Sequence, residues 1–119
     1  MICFSSEPYI IPMVLNITKG NDMIAEFSVV PVGAEESVSE YVAECLKIVK
    51  ESGLKYELTA MATILEGDYD EVMSVIGRCH KKVRSMTDRV ITTVRIDDRE
   101  GAANEMERKV KSVEEKIRG

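Results

Sequence analysis

Residues 54–66 read Leu54-Lys55-Tyr56-Glu57-Leu58-Thr59-Ala60-Met61-Ala62-Thr63-Ile64-Leu65-Glu66, LKYELTAMATILE. The segment has the composition of β structure, is too long for one ordinary strand and shows no stripe at helical spacing. It reads as two strands, about 55–60 and 62–66, joined by a tight turn or bulge around Met61. What flanks this strand pair then decides the fold.

On its N-terminal side, Ser37-Val38-Ser39-Glu40 is a capping box, with Ser37 at the N-cap and Glu40 three residues on. The apolar positions that follow are Val38, Tyr41, Val42, Cys45, Leu46 and Val49, whose steps of three, one, three, one and three draw a stripe along one helix. Gly53 suits the stop at C′. On the C-terminal side, Gly67-Asp68 closes the strand pair, and Asp68 and Glu71 repeat the cap-and-Glu spacing. Val72, Ile76, Cys79 and Val83 then mark a second amphipathic helix, ending near Met86.

Two further strands lie outside this block. In Ile24 to Val32, IAEFSVVPV, Ala25, Phe27 and Val29 point one way while Glu26, Ser28 and Val30 point the other; Pro31 and Gly33 end the run. Asp88 to Asp97 is the last strand. A final helix, about Ala102 to Arg118, carries Met106, Val110, Val113 and Ile117 on one face and a dense set of Lys, Arg and Glu on the other. The order is β-α-β-β-α-β followed by α. That predicts an α+β, ferredoxin-like domain with helices on one face of an antiparallel sheet.

The chain has 119 residues, enough for one core and one domain over 23–119. Met1 to Val14 is fairly apolar, but it is broken by Glu7, Pro8 and Pro12 and lacks the basic n-region of a signal peptide, so residues 1–22 are read together. They are expected to be a poorly ordered extension, with Met23 as a second start. A net charge of -5 argues against a nucleic-acid binder and against acidic membrane surfaces. RNA-binding domains of this topology stack bases on aromatics of the central strands; here Phe27 alone stands on the first strand and none on the last. No segment approaches the roughly 20 apolar residues of a membrane span. The three cysteines, Cys3, Cys45 and Cys79, are odd in number and lack a CxxC spacing, so reduced thiols in the cytoplasm are expected. His80 is the only histidine; it reads as a half-buried helix residue, and neither a metal site nor a cofactor site follows from it.

One face of the sheet should pack on the helices, with Phe27 and Val29, and the other should start open. Glu26 then lies on the open face with Arg95 of the neighbouring last strand within reach, and Glu57, Thr59 and Met61 are candidates for the same side. This mixed face invites cover from another subunit or from the C-terminal helix, so a homo-oligomer is expected. The end of the last strand, Arg95-Ile96-Asp97-Asp98-Arg99, gathers charge. Asp97 and Asp98 are adjacent and point to opposite faces of a continuing strand, so they do not converge for acid–base work or on one metal ion. A salt-bridged strand end or a clamp on a charged ligand remain open. No Ser–His–Asp order, GxGxxG or P-loop is present, and no catalytic set emerges.

IAEFSVVPVG, SVSEYVAECLKIVKESGLKYELTAMATILEGDYDEVM, CHKKV and RVITTVRIDDR together resemble the YkoF-like thiamine-binding proteins, from about Met23 to the C-terminus. The likeness lies in the order and spacing of P-x-G, S-x-S-x-Y-V, M-x-T-x-x-E-G and R-V-x-T-x-x-x-I-D-D-R. It implies a ferredoxin-like homo-oligomer, often a dimer of dimers with sheets packed together, that binds thiamine or its hydroxymethylpyrimidine moiety without catalysis. Carried onto this sequence, it makes Glu66 the first choice for the carboxylate that an aminopyrimidine needs. Thr63 and Ser37 are candidate hydroxyls, and Met61 and Tyr41 candidate walls. Glu26 and Arg95 are left for strand or subunit contacts, and Asp97, Asp98 and Arg99 for tying the strand end into the C-terminal helix or a subunit contact.

Overall fold

In the computed structural model, residues 21–33 and 38–118 are described. The elements run β1 (Met23–Pro31), α1 (Val38–Ser52), β2 (Lys55–Leu58), β3 (Thr63–Gly67), α2 (Tyr69–Arg84), β4 (Val90–Asp97) and α3 (Glu105–Arg118). The strands form one sheet in the order β2-β3-β1-β4, every neighbouring pair antiparallel. This is the ferredoxin-like split expected from the order of elements.

Strict alternation places the core. Met23, Ala25, Phe27 and Val29 of β1 are buried, and their partners across the ladders, Leu65 and Thr63 of β3, are buried with them. Val94 of β4 sits opposite Phe27 on the same face. Onto this face α1 sets Tyr41, Cys45 and Val49, and α2 sets Val72, Val75, Ile76, Cys79 and Val83. Burying a side chain the size of Leu65 or Phe27 contributes about 1.5–3 kcal/mol. The two helices therefore owe their place to the sheet more than to their own propensity.

Local signals end each element where chemistry requires it. Asp68 caps α2, its carboxylate accepting from the backbone N–H groups of Asp70 at 3.1 Å and Glu71 at 3.4 Å. Gly53 leaves α1 at a φ of +77°, the left-handed conformation that stops a helix. Gly67 answers a different need: a Cβ there would stand 2.9 Å from a Leu54 methyl, so a side chain at this end of β3 would have to push the Leu54 side chain aside. Ser37, the cap expected for α1, lies outside the described residues, as do residues 1–20 of the N-terminal extension. Asn21 and Asp22 are tied to the loop before α3: Asp22 N–H donates to the Ala102 carbonyl at 3.0 Å, and Asn21 Oδ1 accepts from Gly101 N–H at 3.3 Å.

Several boundaries differ from the sequence reading, among them the start of the last strand, Val90 rather than Asp88. The first hairpin strand is shorter, 55–58, and the second starts one residue later, 63–67, because Thr59 turns the chain early. Its hydroxyl accepts from Met61 and Ala62 N–H and donates to the Ala62 carbonyl, which closes residues 59–62 into a turn in place of ladder bonds. Thr59 and Met61 thus stand in the turn, whereas Glu57 lies on β2 with its Cα opposite Ile64 on the open side. The second helix stops at Arg84, two residues early, with Ser85 as its C-cap. The last helix begins at Glu105 rather than Ala102; Asn104 takes a φ of 55°, and its carbonyl accepts the first helical bond from Arg108 N–H at 2.9 Å.

Candidate functional site

The two faces of the sheet offer two different sites. On the helix side, the α1 start, the β2–β3 turn and the end of β1 enclose a cleft of about 470 Å³. Phe27 and Val29 rise from the sheet, Val38, Val42 and Leu46 from α1, and Met61 from the turn. Ser39, Thr59 and Thr63 bring hydroxyls to this lining, and among the described residues none that lines the cleft is charged. An apolar hollow with a few polar groups is the ordinary form of a small-molecule site, and its size falls within the range of about 300–1,000 Å³ usual for one. Such a hollow suits a flat heteroaromatic ring.

The open face carries the charged groups. Glu26 and Arg95 are register partners on β1 and β4 and pair at 3.3 Å, as the neighbouring-strand argument anticipates. Asp97 is paired with a residue of α3: Lys109 Nζ donates to its Oδ2 at 2.5 Å. Asp98 and Arg99 follow the end of β4 and are exposed, the Arg99 carbonyl accepting from Ala102 N–H at 3.0 Å. The charge knot thus resolves into one cross-strand pair and one strand-to-helix pair. Between them, Ile24, Glu26, Ile64, Arg95, Asp97 and Lys109 border a shallower hollow of about 370 Å³.

Glu66 is the most constrained carboxylate on this face. Its side chain is only 2% exposed. It accepts from the backbone N–H of Glu105 at 2.5 Å and of Met106 at 3.4 Å, the first two residues of α3. Lys55 Nζ stands 3.9 Å away and donates to Asn104 Oδ1 at 2.9 Å. A carboxylate here satisfies two of the donors a helix N-terminus leaves unpaired and meets the positive end of its dipole. Glu66 therefore caps α3 from a distant part of the chain. At the same turn Arg108 grips Glu105 through two bonds of 2.7 Å, and this guanidinium holds the Glu105 carboxyl below its ordinary pKa.

Of the residues singled out for a ligand, Met61 and Thr63 meet at the cleft. Glu66 lies on the opposite face, since three steps along β3 reverse the direction of a side chain. Ser37 lies outside the described residues. Tyr41 is buried in the core, and His80 bridges α2 to β4, its Nδ1 2.6 Å from Thr92 Oγ1. Sequence reasoning did not separate the cleft-facing part of α1. The signal was available: Val38, Val42 and Leu46 follow one another at steps of four, beside the buried Tyr41-Cys45-Val49 row. The partners that Glu66 and Lys55 find on α3 had no such signal, being set by where the last helix docks.

The model of the family described as Thiamine-binding protein matches residues 25–114. The chain belongs to that family. Among its relatives, a UPF0045 protein of Methanocaldococcus jannaschii is 40% identical over 93 residues, 78% of this chain and 93% of its own. One from Synechocystis is 39% identical over 97 residues, 81% of this chain and 80% of its own. The solved structure of a hypothetical protein from M. jannaschii superposes with a TM-score of 0.73 at 39% identity, covering 79% of this chain and 97% of its own. A Thermotoga maritima structure, described as a putative thiamine biosynthesis/salvage protein, has a TM-score of 0.68 at 21% identity, covering 76% of this chain and 98% of its own; it speaks for the fold. In this thiamine-binding family member, no helix among the described residues is long and apolar enough to cross a membrane. No group of three or more His, Cys, Asp or Glu among them could hold a metal ion.

Proposed function

We propose that this protein is a non-catalytic, cytoplasmic binder of thiamine or of its hydroxymethylpyrimidine moiety. The observation that carries the reading is the uncharged cleft of about 470 Å³ that holds Met61 and Thr63 together, in a chain whose family is described by thiamine binding. The pyrimidine ring lies against Met61, Val42 and Phe27, and Thr63 supplies a hydroxyl. Ser37, which directly precedes Val38 and Ser39 in the chain, is the second hydroxyl of the proposal. Glu66, on the other face of β3, is the carboxylate of a second, separate pose, in which an aminopyrimidine takes the place of the first turn of α3.

Calorimetric titration tests this. Thiamine and hydroxymethylpyrimidine should each be tried, and at least one should bind saturably, with affinity reduced by Thr63→Val and by Met61→Ala. Titrations that stay flat with both compounds sink the reading.

A specific observation also favours assembly. Val110, Val113 and Ile117 of α3 are 56%, 58% and 78% exposed, and Val30 and Ile91 of the open sheet face stand exposed beside the polar pairs. Apolar surface of this kind, on both the helix and the sheet it leaves partly bare, supports a homo-oligomer in which a second copy covers this face. A dimer of dimers with sheets packed together is the arrangement proposed, with Glu26, Arg95, Asp97, Asp98 and Arg99 around the contact. An oligomeric interaction module without a metabolite ligand is the second reading, and flat titrations of an intact oligomer would select it.

A further inference from the structure

Cys45 and Cys79 lie 34 residues apart in sequence, on α1 and α2, and meet where these helices cross the sheet. Both are free thiols, 7% and 0% exposed. Their contacts are reciprocal: Cys45 Sγ points at the Cys79 carbonyl at 3.9 Å, and Cys79 Sγ at the Cys45 carbonyl at 3.5 Å. Two side chains each reaching the other's backbone must pass side by side, so the sulfurs are neighbours.

The pair also has an asymmetric route to solvent. Cys45 borders the cleft beside Leu46 and Phe27, whereas Cys79 is sealed beneath it. The thiols differ in acidity in the same sense. The hydrogen bond from Cys79 lowers the pKa of Cys45, while the same bond and burial push that of Cys79 up. The sulfur nearer the opening is the one that ionises more readily, and the sealed sulfur is the one that keeps its proton.

We propose that Cys45 and Cys79 form a redox site, oxidised to an intramolecular disulfide by a small hydroperoxide entering through the cleft. The Cys45 thiolate attacks the terminal peroxide oxygen; the S–O bond forms, the O–O bond breaks, and the alkoxide or hydroxide leaving group takes up a proton. The Cys79 sulfur then attacks the Cys45 sulfur. The S–S bond forms, the S–O bond breaks, and the departing hydroxide leaves with the Cys79 proton as water. Two thiols have lost two electrons, and the hydroperoxide has been reduced to an alcohol, or to water, and one further water. The bond ties α1, which carries Val38, Val42 and Leu46 into the cleft wall, to α2. The site does not depend on which ligand the cleft takes.

The full-length protein treated with hydrogen peroxide and then alkylated in denaturant tests this by mass. The expected product loses two hydrogens per chain, loses alkylation at both Cys45 and Cys79, and yields a peptide linking them that dithiothreitol releases. Cys3→Ser should leave the link in place. Cys79→Ser should stop the reaction at a Cys45 sulfenic acid that dimedone captures. The wild-type mapping needs no variant to fold: peroxide that leaves both thiols alkylatable, or that oxidises them separately to sulfinic acids, overturns the proposal. So does a link made only through Cys3.

Discussion

Replacing Glu66 by Ala should unlatch the C-terminal helix and leave the rest of the fold standing. Two backbone donors of α3 depend on this carboxylate, at 2.5 and 3.4 Å, in a place where the side chain is 2% exposed. A hydrogen bond to a charged group contributes about 1.5–3 kcal/mol, and loss of a helix cap costs about 0.5–2 kcal/mol. The other polar tethers of α3 are exposed, as with Lys55, which reaches Asn104 at 2.9 Å and Glu107 at 3.6 Å with a side chain 38% exposed. The Lys109–Asp97 pair joins side chains that are 49% and 52% exposed, and such pairs contribute at most about 1 kcal/mol. Val110, Val113 and Ile117 face solvent in the single chain, and a helix of 14 residues is marginal on its own. A local loss of about 2–3 kcal/mol follows, which corresponds to a fall of roughly 30- to 150-fold in the hydrogen-exchange protection of the amides from Met106 to Val113. Glu66→Gln keeps one acceptor oxygen and should fall in between. The α2 amides around Ile76 and Cys79 should keep their protection in both variants. Undiminished protection of α3 in Glu66→Ala, or equal loss across α2 and α3, refutes the latch.

Two other perturbations bear on the same region. Because Arg108 holds the Glu105 carboxyl below its ordinary pKa, their pair supports α3 fully above the usual carboxylate value of about 4.3 and loses that support as pH falls through the lowered one. The helical signal of α3 should therefore weaken in strong acid, and Arg108→Gln should weaken it already at neutral pH; a variant with wild-type acid behaviour contradicts this. Val110→Glu combined with Val113→Glu should leave the melting of the core little changed while reducing the native mass to a smaller assembly. An unaltered mass would place the subunit contact elsewhere.

The fold was legible because its core obeys two short-range periods. Alternation in Met23–Pro31 told the buried face from the open one, and steps of three and four told the inner sides of α1 and α2. These patterns follow from burial against the sheet, and every strand neighbour implied by the topology is found. The hairpin limits were less legible because Thr59 has strand composition yet closes a turn with its hydroxyl. The last helix was legible as a helix and not in its placement. Met106, Val110, Val113 and Ile117 do form one row, but in the single chain the last three stay exposed, and the helix is fixed at its first turn by polar bonds to Glu66. A hydrophobic row says that something will cover it without saying which surface.

The candidate site shows how far a motif can mislead about geometry. M-x-T-x-x-E-G groups Met61, Thr63 and Glu66 in six residues, and proximity in sequence suggests one ligand patch. On a strand, however, Thr63 and Glu66 are three positions apart and must face opposite sides. Thr63 goes to the uncharged cleft under α1 and Glu66 to the underside of α3. Within one chain, then, a hydroxyl and a carboxylate from this motif cannot touch the same ring unless the backbone of β3 is broken. The carboxylate's present use as a helix cap is therefore a competitor to ligand binding, not an adjunct to it. If an aminopyrimidine does engage Glu66, it displaces α3 from its anchor and frees the row Val110-Val113-Ile117 to move. Thr63→Val and Glu66→Gln then separate the alternatives, because only the first should weaken a ligand held in the cleft, whereas the second should alter a ligand that displaces the helix.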